Sequence, residues 1–102
     1  MLENKIYSML SLCQRAGKLC SGSFTCERAI KNGKCKVLII AEDVTGNTKP
    51  DFENMCKYYK VPMYTFSSKE KLGKYIGKSE RAVVGIMDNN FATKIEGMLK
   101  QV

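Results

Sequence analysis

Histidine is absent from the 102 residues. That one absence removes His-based acid–base catalysis, Ser/His and Cys/His dyads, and most zinc or iron sites. Long apolar runs are also missing. The longest, Val37-Leu38-Ile39-Ile40-Ala41, falls far short of a membrane-spanning helix. No signal-peptide pattern stands at the start, where Glu3, Asn4 and Lys5 lead into a helical period. Repeats, low-complexity tracts and linkers are lacking too. The cysteines at 13, 20, 26, 35 and 56 include no Cys-x-x-Cys pair, and an odd count without a secretory signal argues against a disulfide framework. A four-cysteine zinc site would want that same paired spacing. Dinucleotide-binding and P-loop glycine patterns are missing. Asp43, Asp51, Glu53 and Asp88 each suit a cap or a surface charge better than an acid–base role. The expectation is a binding protein in reducing cytoplasm: no enzyme, no cofactor, no metal, no membrane contact.

What is present is an ordinary globular composition with a strong basic bias. Hydrophobic residues make up 44% and charged residues 26%, enough for one core but not two, so residues 1–102 read as a single domain. Lys and Arg number 17 against 10 Asp and Glu, a net +7 that points to a polyanionic partner. The excess is uneven: residues 1–36 carry a net +5, residues 37–65 a net −1, and residues 66–102 a net +3. Arg15, Lys18, Arg28, Lys31, Lys34 and Lys36 gather around one segment; Lys69, Lys71, Lys74, Lys78 and Arg81 gather around another. Two basic lobes flanking a nucleic-acid groove fit this distribution, each cation neutralising a phosphate. Solvated helix faces fit part of it as well.

Apolar periodicity places helices over about 2–16, from Ser23 to Gly33, over 48–59, from Ser67 to Gly77, and after Asp88. Strands are expected at 18–21, 36–41, 63–66 and 82–87. Ser23 is the expected N-cap of the second helix, and Ser67 with Glu70 a capping box for the fourth. Phe52, Met55, Cys56 and Tyr59 should face inward on the third helix, as should Cys13, Cys26 and Cys56 as small hydrophobes. Strands alternating with helices imply an α/β fold, a three-layer α-β-α sandwich with a central mixed sheet and helices on both faces. Strand order is not readable from spacing.

The start of the second helix is the first candidate site. Gly22-Ser23 exposes unpaired N–H groups suited to a phosphate or base edge, although on this dipeptide alone a plain cap is the favoured reading. Phe24 is either a stacking surface for an unpaired base or a hydrophobic anchor.

Arg15-Ala16-Gly17-Lys18, Gly22, Ala29-Ile30-Lys31-Asn32-Gly33-Lys34 and Val37 to Asp43, in this order, resemble the L-seven-Ae superfamily of RNA-binding ribosomal proteins. Val61-Pro62, Lys69-Glu70-Lys71-Leu72-Gly73-Lys74 and Ala82 to Met87 continue the match in register. The resemblance covers nearly the whole chain and is greatest to the family's short bacterial YlxQ-like branch. It implies a non-catalytic binder of structured, kink-turn-like RNA, ribosomal or otherwise non-coding, associated with the ribosome or translation; a monomer is expected, although nothing in the sequence names the oligomeric state. By position it assigns Lys18, Gly22, Ser23, Phe24, Thr25 and Arg28 to the first recognition segment, with Lys31 beside them in the same basic cluster. Lys69 falls on a phosphate-contacting helix, and Lys78, Ser79, Glu80 and Arg81 on a loop that covers flipped bases.

Two segments depart from the family pattern. Its Gly-Thr-Asn-Glu recognition core stands here as Gly22-Ser23-Phe24-Thr25. Phenylalanine makes no hydrogen bond and threonine supplies no carboxylate, and each lost base contact typically costs about 1–3 kcal/mol. The loop Lys78-Ser79-Glu80-Arg81 is shorter and more polar than the family's. RNA binding is expected to survive these changes better than sheared-pair specificity. The alternative is a protein–protein adaptor that keeps the fold without the base readout.

Overall fold

The structure, a computed structural model, describes all residues 1–102. Its elements run α1 (Leu2–Arg15), β1 (Leu19–Ser21), α2 (Ser23–Lys31), β2 (Val37–Ile40), α3 (Thr48–Tyr59), β3 (Met63–Thr65), α4 (Lys69–Tyr75), β4 (Val83–Ile86) and α5 (Asn89–Leu99). The four strands form one mixed sheet in the order β1-β4-β2-β3. β4 lies antiparallel to both β1 and β2, and β2 lies parallel to β3.

The central strands β2 and β4 are buried along their whole length, as their unbroken apolar runs require. Alternation then sorts their side chains between two cores. Val37, Ile39, Ala41, Val84 and Ile86 face a cluster completed by Ile6, Tyr7, Leu10 and Cys13 of α1, Leu72 of α4, and Ala92, Ile95 and Leu99 of α5. Leu38, Ile40 and Val83 face the opposite cluster, with Cys26, Ala29 and Ile30 of α2 and Phe52 and Cys56 of α3. Helices therefore cover both faces, three on one and two on the other, and the α-β-α sandwich stands.

Three local expectations need correcting. Gly22, not Ser23, is the N-cap of α2: its φ of +91° lies in the left-handed region, which a serine side chain disfavours, so Ser23 becomes the first helical residue. Ser68, not Ser67, caps α4, its hydroxyl accepting the Lys71 N–H at 3.2 Å. Ser67 stands outside the helix at φ +70° and pairs instead with the Tyr7 hydroxyl at 2.6 Å. Tyr59 does not turn inward; it is 40% exposed. Lys60 ends α3 in a left-handed turn, and Val61, whose N–H returns to the Cys56 carbonyl at 2.8 Å, packs on the core in its place. Asp88 caps α5 as expected, accepting the Phe91 N–H at 2.9 Å.

Candidate nucleic-acid interface

The antiparallel pairing of β4 with its two neighbours brings the carboxyl ends of β1 and β2 beside the amino end of β4. Ser21 pairs with Val84, the Gly22 N–H donates to the Val83 carbonyl at 3.0 Å, and the Ala41 N–H donates to the Ala82 carbonyl at 2.8 Å. The start of α2 and the loop from Lys78 to Ala82 thus meet at one end of the sheet. Lys69 opens α4 at that same end. Its N–H donates to Asp43 Oδ1 at 2.9 Å, and its carbonyl accepts the Arg81 N–H at 3.1 Å.

Arg81 joins these pieces. Its Nε donates to Ser21 Oγ at 3.2 Å, while Nη1 donates to Ser79 Oγ and to the Glu80 carbonyl, each at 2.9 Å. The guanidinium folds the short loop around itself and ties it to the end of β1. Its planar fork suits several acceptors at once, which a lysine there could not serve in the same geometry. Lys78, Ser79 and Glu80 remain exposed around it.

On α2, Ser23, Phe24, Thr25, Arg28 and Lys31 are all exposed. Phe24 is 73% exposed and so anchors nothing inside. Arg28 lies one turn on, its guanidinium carbon 5.7 Å from the Phe24 ring centroid. Cation and aromatic face therefore stand side by side, an arrangement that serves a phosphate and a stacked base together. Below them Thr25, Arg28, Asn32 and Lys34 line a pocket of about 240 Å³ with Cys20 and Met87. Lys18 stands apart from Arg81, at the far end of β1, where its carbonyl accepts the Met87 N–H at 2.8 Å. The basic surface is thus a band down the β1 edge and α2, with Lys69 and the 78–81 loop across its upper end.

Most of this charge is unpaired within the chain. The single ion pair joins Lys31 Nζ to Glu27 Oε2 at 2.9 Å, one helical turn apart. The Glu27 hydrogen bond and charge raise the Lys31 pKa above its ordinary value. Lys31 is accordingly the one basic candidate whose charge is already answered. Such solvated pairs contribute little to stability, so an external phosphate competes for Lys31 readily.

No group of three or more Cys, Asp or Glu side chains is arranged to hold a metal ion, and no helix is long and apolar enough to cross a membrane. All five cysteines are buried free thiols. Burial pushes Cys13 and Cys35 up to about 12 and Cys56 up to about 11.

Two features of the site were not assigned in the sequence: Ser21 as the acceptor for Arg81, and Asp43 as the carboxylate that holds the start of α4. Ser21 lies beside the start of α2 in the sequence, which names no partner, and Asp43, read as a cap or surface charge, lies 26 positions from the helix start that it holds.

A model of the ribosomal protein L7Ae/L30e/S12e/Gadd45 family matches residues 4–96. The RNA-binding protein YlxQ of Bacillus subtilis is 37% identical over 93 residues, covering 91% of this chain and 93% of that protein. Its namesake from Enterococcus faecium is 35% identical over 98 residues, covering 96% and 94% of the two chains. Among solved structures, a Bacillus halodurans protein of unknown function superposes with a TM-score of 0.90 at 31% identity, covering 94% of this chain and 97% of that one.

Proposed function

The chain belongs to the ribosomal protein L7Ae/L30e/S12e/Gadd45 family, and on that premise we propose that it is a non-catalytic binder of structured RNA. Residues 1–102 act as one RNA-binding domain, monomeric and cytoplasmic, associated with ribosomal or other non-coding RNA. The observation that carries this reading is the pairing of a basic band, neutralised internally only at Lys31, with a solvent-exposed Phe24 at the start of α2.

The contact is built from three parts. The Gly22 turn and the first N–H groups of α2 face a phosphate or base edge. Phe24 stacks on an unpaired base while Arg28 neutralises a phosphate beside it. Lys69 and the loop Lys78 to Arg81 grip the other arm of the RNA. Lys18 and Lys31 extend the contact down the β1–α2 edge. An RNA bent between these parts, kink-turn-like, is favoured because the bend lets both arms bind at once.

A salt-controlled titration against a kink-turn RNA and a control with its G·A pairs disrupted tests this. Preference for the intact motif, with affinity falling steeply as salt rises, is the expected result. Equal affinity for both removes kink-turn specificity and leaves electrostatic RNA binding. No binding to either overturns the reading and leaves the fold as a protein–protein adaptor.

A further inference from the structure

Beneath the β1–α2 turn, three thiols gather where β4 carries no side chain. A Cβ on Gly85 would stand 2.8 Å from Cys20 Sγ, 3.0 Å from Cys35 Sγ and 3.7 Å from Cys26 Sγ, so the sulfurs fill the space that the glycine leaves. Cys20 and Cys26 face each other at 3.7 Å, thiol to thiol, and Cys26 lies 3.8 Å from the Cys20 carbonyl as well. Cys35 is engaged elsewhere, donating to the Val37 carbonyl at 3.4 Å. Cys20 alone among the three lines the α2 pocket, whose other walls include Arg28 and Lys34.

We propose that Cys20 and Cys26 form a thiol-oxidation site, in which a hydroperoxide entering the α2 pocket oxidises Cys20 and Cys26 resolves the product into a disulfide that locks the β1–α2 turn. Cys20 lines the pocket and is 7% exposed, whereas Cys26 is fully buried, and the cationic side chains of Arg28 and Lys34 in the pocket wall favour a thiolate there. The thiol–thiol contact with Cys26 holds the Cys20 pKa below the ordinary thiol value, while the same contact and burial raise that of Cys26. Attacking and resolving roles are divided by position: Cys20 meets the pocket and Cys26 lies behind it.

The chemistry balances with one equivalent of hydrogen peroxide. The Cys20 sulfur attacks a peroxide oxygen, the O–O bond breaks, and the departing hydroxide takes a proton and leaves as water. Cys20 is then a sulfenic acid, oxidised by two electrons. The Cys26 sulfur attacks that of Cys20; an S–S bond forms, the S–O bond breaks, and the Cys26 proton leaves with the oxygen as a second water. Two thiols and one peroxide become one disulfide and two waters. The sulfurs need to close from 3.7 Å to about 2.05 Å, a movement that side-chain rotation and a small shift of α2 supply.

That shift has a direction. Cys20 is next to Ser21, which Arg81 holds in place, whereas Cys26 lies in the first turns of α2. Closing the disulfide therefore moves Phe24 and Arg28 relative to the 78–81 loop, so the oxidised protein binds RNA more weakly. This last step rests on the RNA-binding reading; the oxidation does not.

The test treats the folded protein with hydrogen peroxide at neutral pH, blocks remaining thiols with N-ethylmaleimide and maps peptides without reduction. The expected product has lost two of its five thiols, joined as Cys20–Cys26. Cys35→Ala forms the same disulfide, and Cys26→Ala leaves a Cys20 sulfenic acid that dimedone labels. Linkage through Cys35 or Cys56 instead, or no thiol loss in the wild-type protein, overturns the site whether or not the variants fold. In the RNA arm, weaker binding after oxidation that dithiothreitol restores supports the coupling, and unchanged affinity overturns it. If the reduced protein binds no RNA, the functional reading fails while the mapped disulfide stands.

Discussion

Two glycines on helices give opposite expectations for the same substitution. Gly73 is buried in α4, and a Cβ there would stand 2.0 Å from the Ser79 carbonyl oxygen and 2.6 Å from its carbon. Ordinary carbon–oxygen contacts are about 3.3 Å or longer, so in Gly73→Ala the loop must retreat by more than an ångström. That loop is also held from Gly73 itself, whose carbonyl accepts the Lys78 N–H at 2.9 Å. Overpacking of this kind costs about 1–3 kcal/mol, which exceeds the helix-propensity gain of up to about 1 kcal/mol. Gly97 in α5 is exposed, and nothing lies within 4 Å of its Cβ position. Gly97→Ala keeps the propensity gain alone, about 0.5–1 kcal/mol. At about 4–8 °C per kcal/mol for a domain of this size, Gly73→Ala lowers the melting temperature by several degrees or more, and Gly97→Ala raises it. Thermal melts followed by circular dichroism at fixed pH and salt measure both. Below the melt, Gly73→Ala should also bind RNA more weakly, because the displaced loop carries Arg81. If Gly73→Ala melts at or above the wild-type temperature while Gly97→Ala rises, the packing of α4 on the 78–81 loop is not as described.

Other expectations are simpler. Phe24→Ala weakens RNA binding without changing its salt dependence or the melting temperature, because the ring is exposed; a lower melting temperature with RNA affinity intact would make it a packing residue. Arg28→Ala weakens binding and flattens the plot of log affinity against log salt by about 0.7–0.9, one phosphate contact; an unchanged slope removes Arg28 from the interface. Asp88→Ala loses the cap on the Phe91 N–H and costs about 0.5–2 kcal/mol, read as a lower denaturation midpoint; an unchanged midpoint argues against the cap. The thiols of Cys13, Cys35 and Cys56 are raised from 9.0 to about 12, 12 and 11. Their burial favours the neutral form, so the folded state holds these protons to higher pH than the unfolded state. The stability they contribute is complete below about pH 9 and is lost as pH rises through 11 to 12. Chemical denaturation across that range should show a falling midpoint, and a flat one would contradict the burial of these thiols.

The order and type of the elements were legible because each apolar stripe had a single period and a marked end, such as Asp88 before α5. Errors fell where two neighbouring residues compete for one role. At Gly22-Ser23 the better capping side chain lost to the residue that tolerates a left-handed backbone, and at Ser67-Ser68 a distant Tyr7 hydroxyl claimed the first serine. The basic residues were visible as two clusters along the chain, but their division was not spatial in the way the sequence suggests. Antiparallel pairing of β4 with β1 puts the 78–81 loop at the start of α2 and leaves Lys18 at the other end of the strand. The contact of Arg81 with Ser21 spans 60 positions, and no local pattern announces it. The thiol cluster was hidden for the same reason: Cys20, Cys26 and Cys35 come from three segments and meet only over Gly85, which was read simply as part of a strand.

Mapping bound RNA onto the protein surface tests the central claim most directly. Backbone amide shifts of the labelled protein, recorded during titration with kink-turn RNA, should move from Gly22 to Arg28, at Lys69 and from Lys78 to Ala82, with α1 and α5 unaffected. Shifts concentrated on α1 and α5, or none at these three segments, would contradict the interface proposed here.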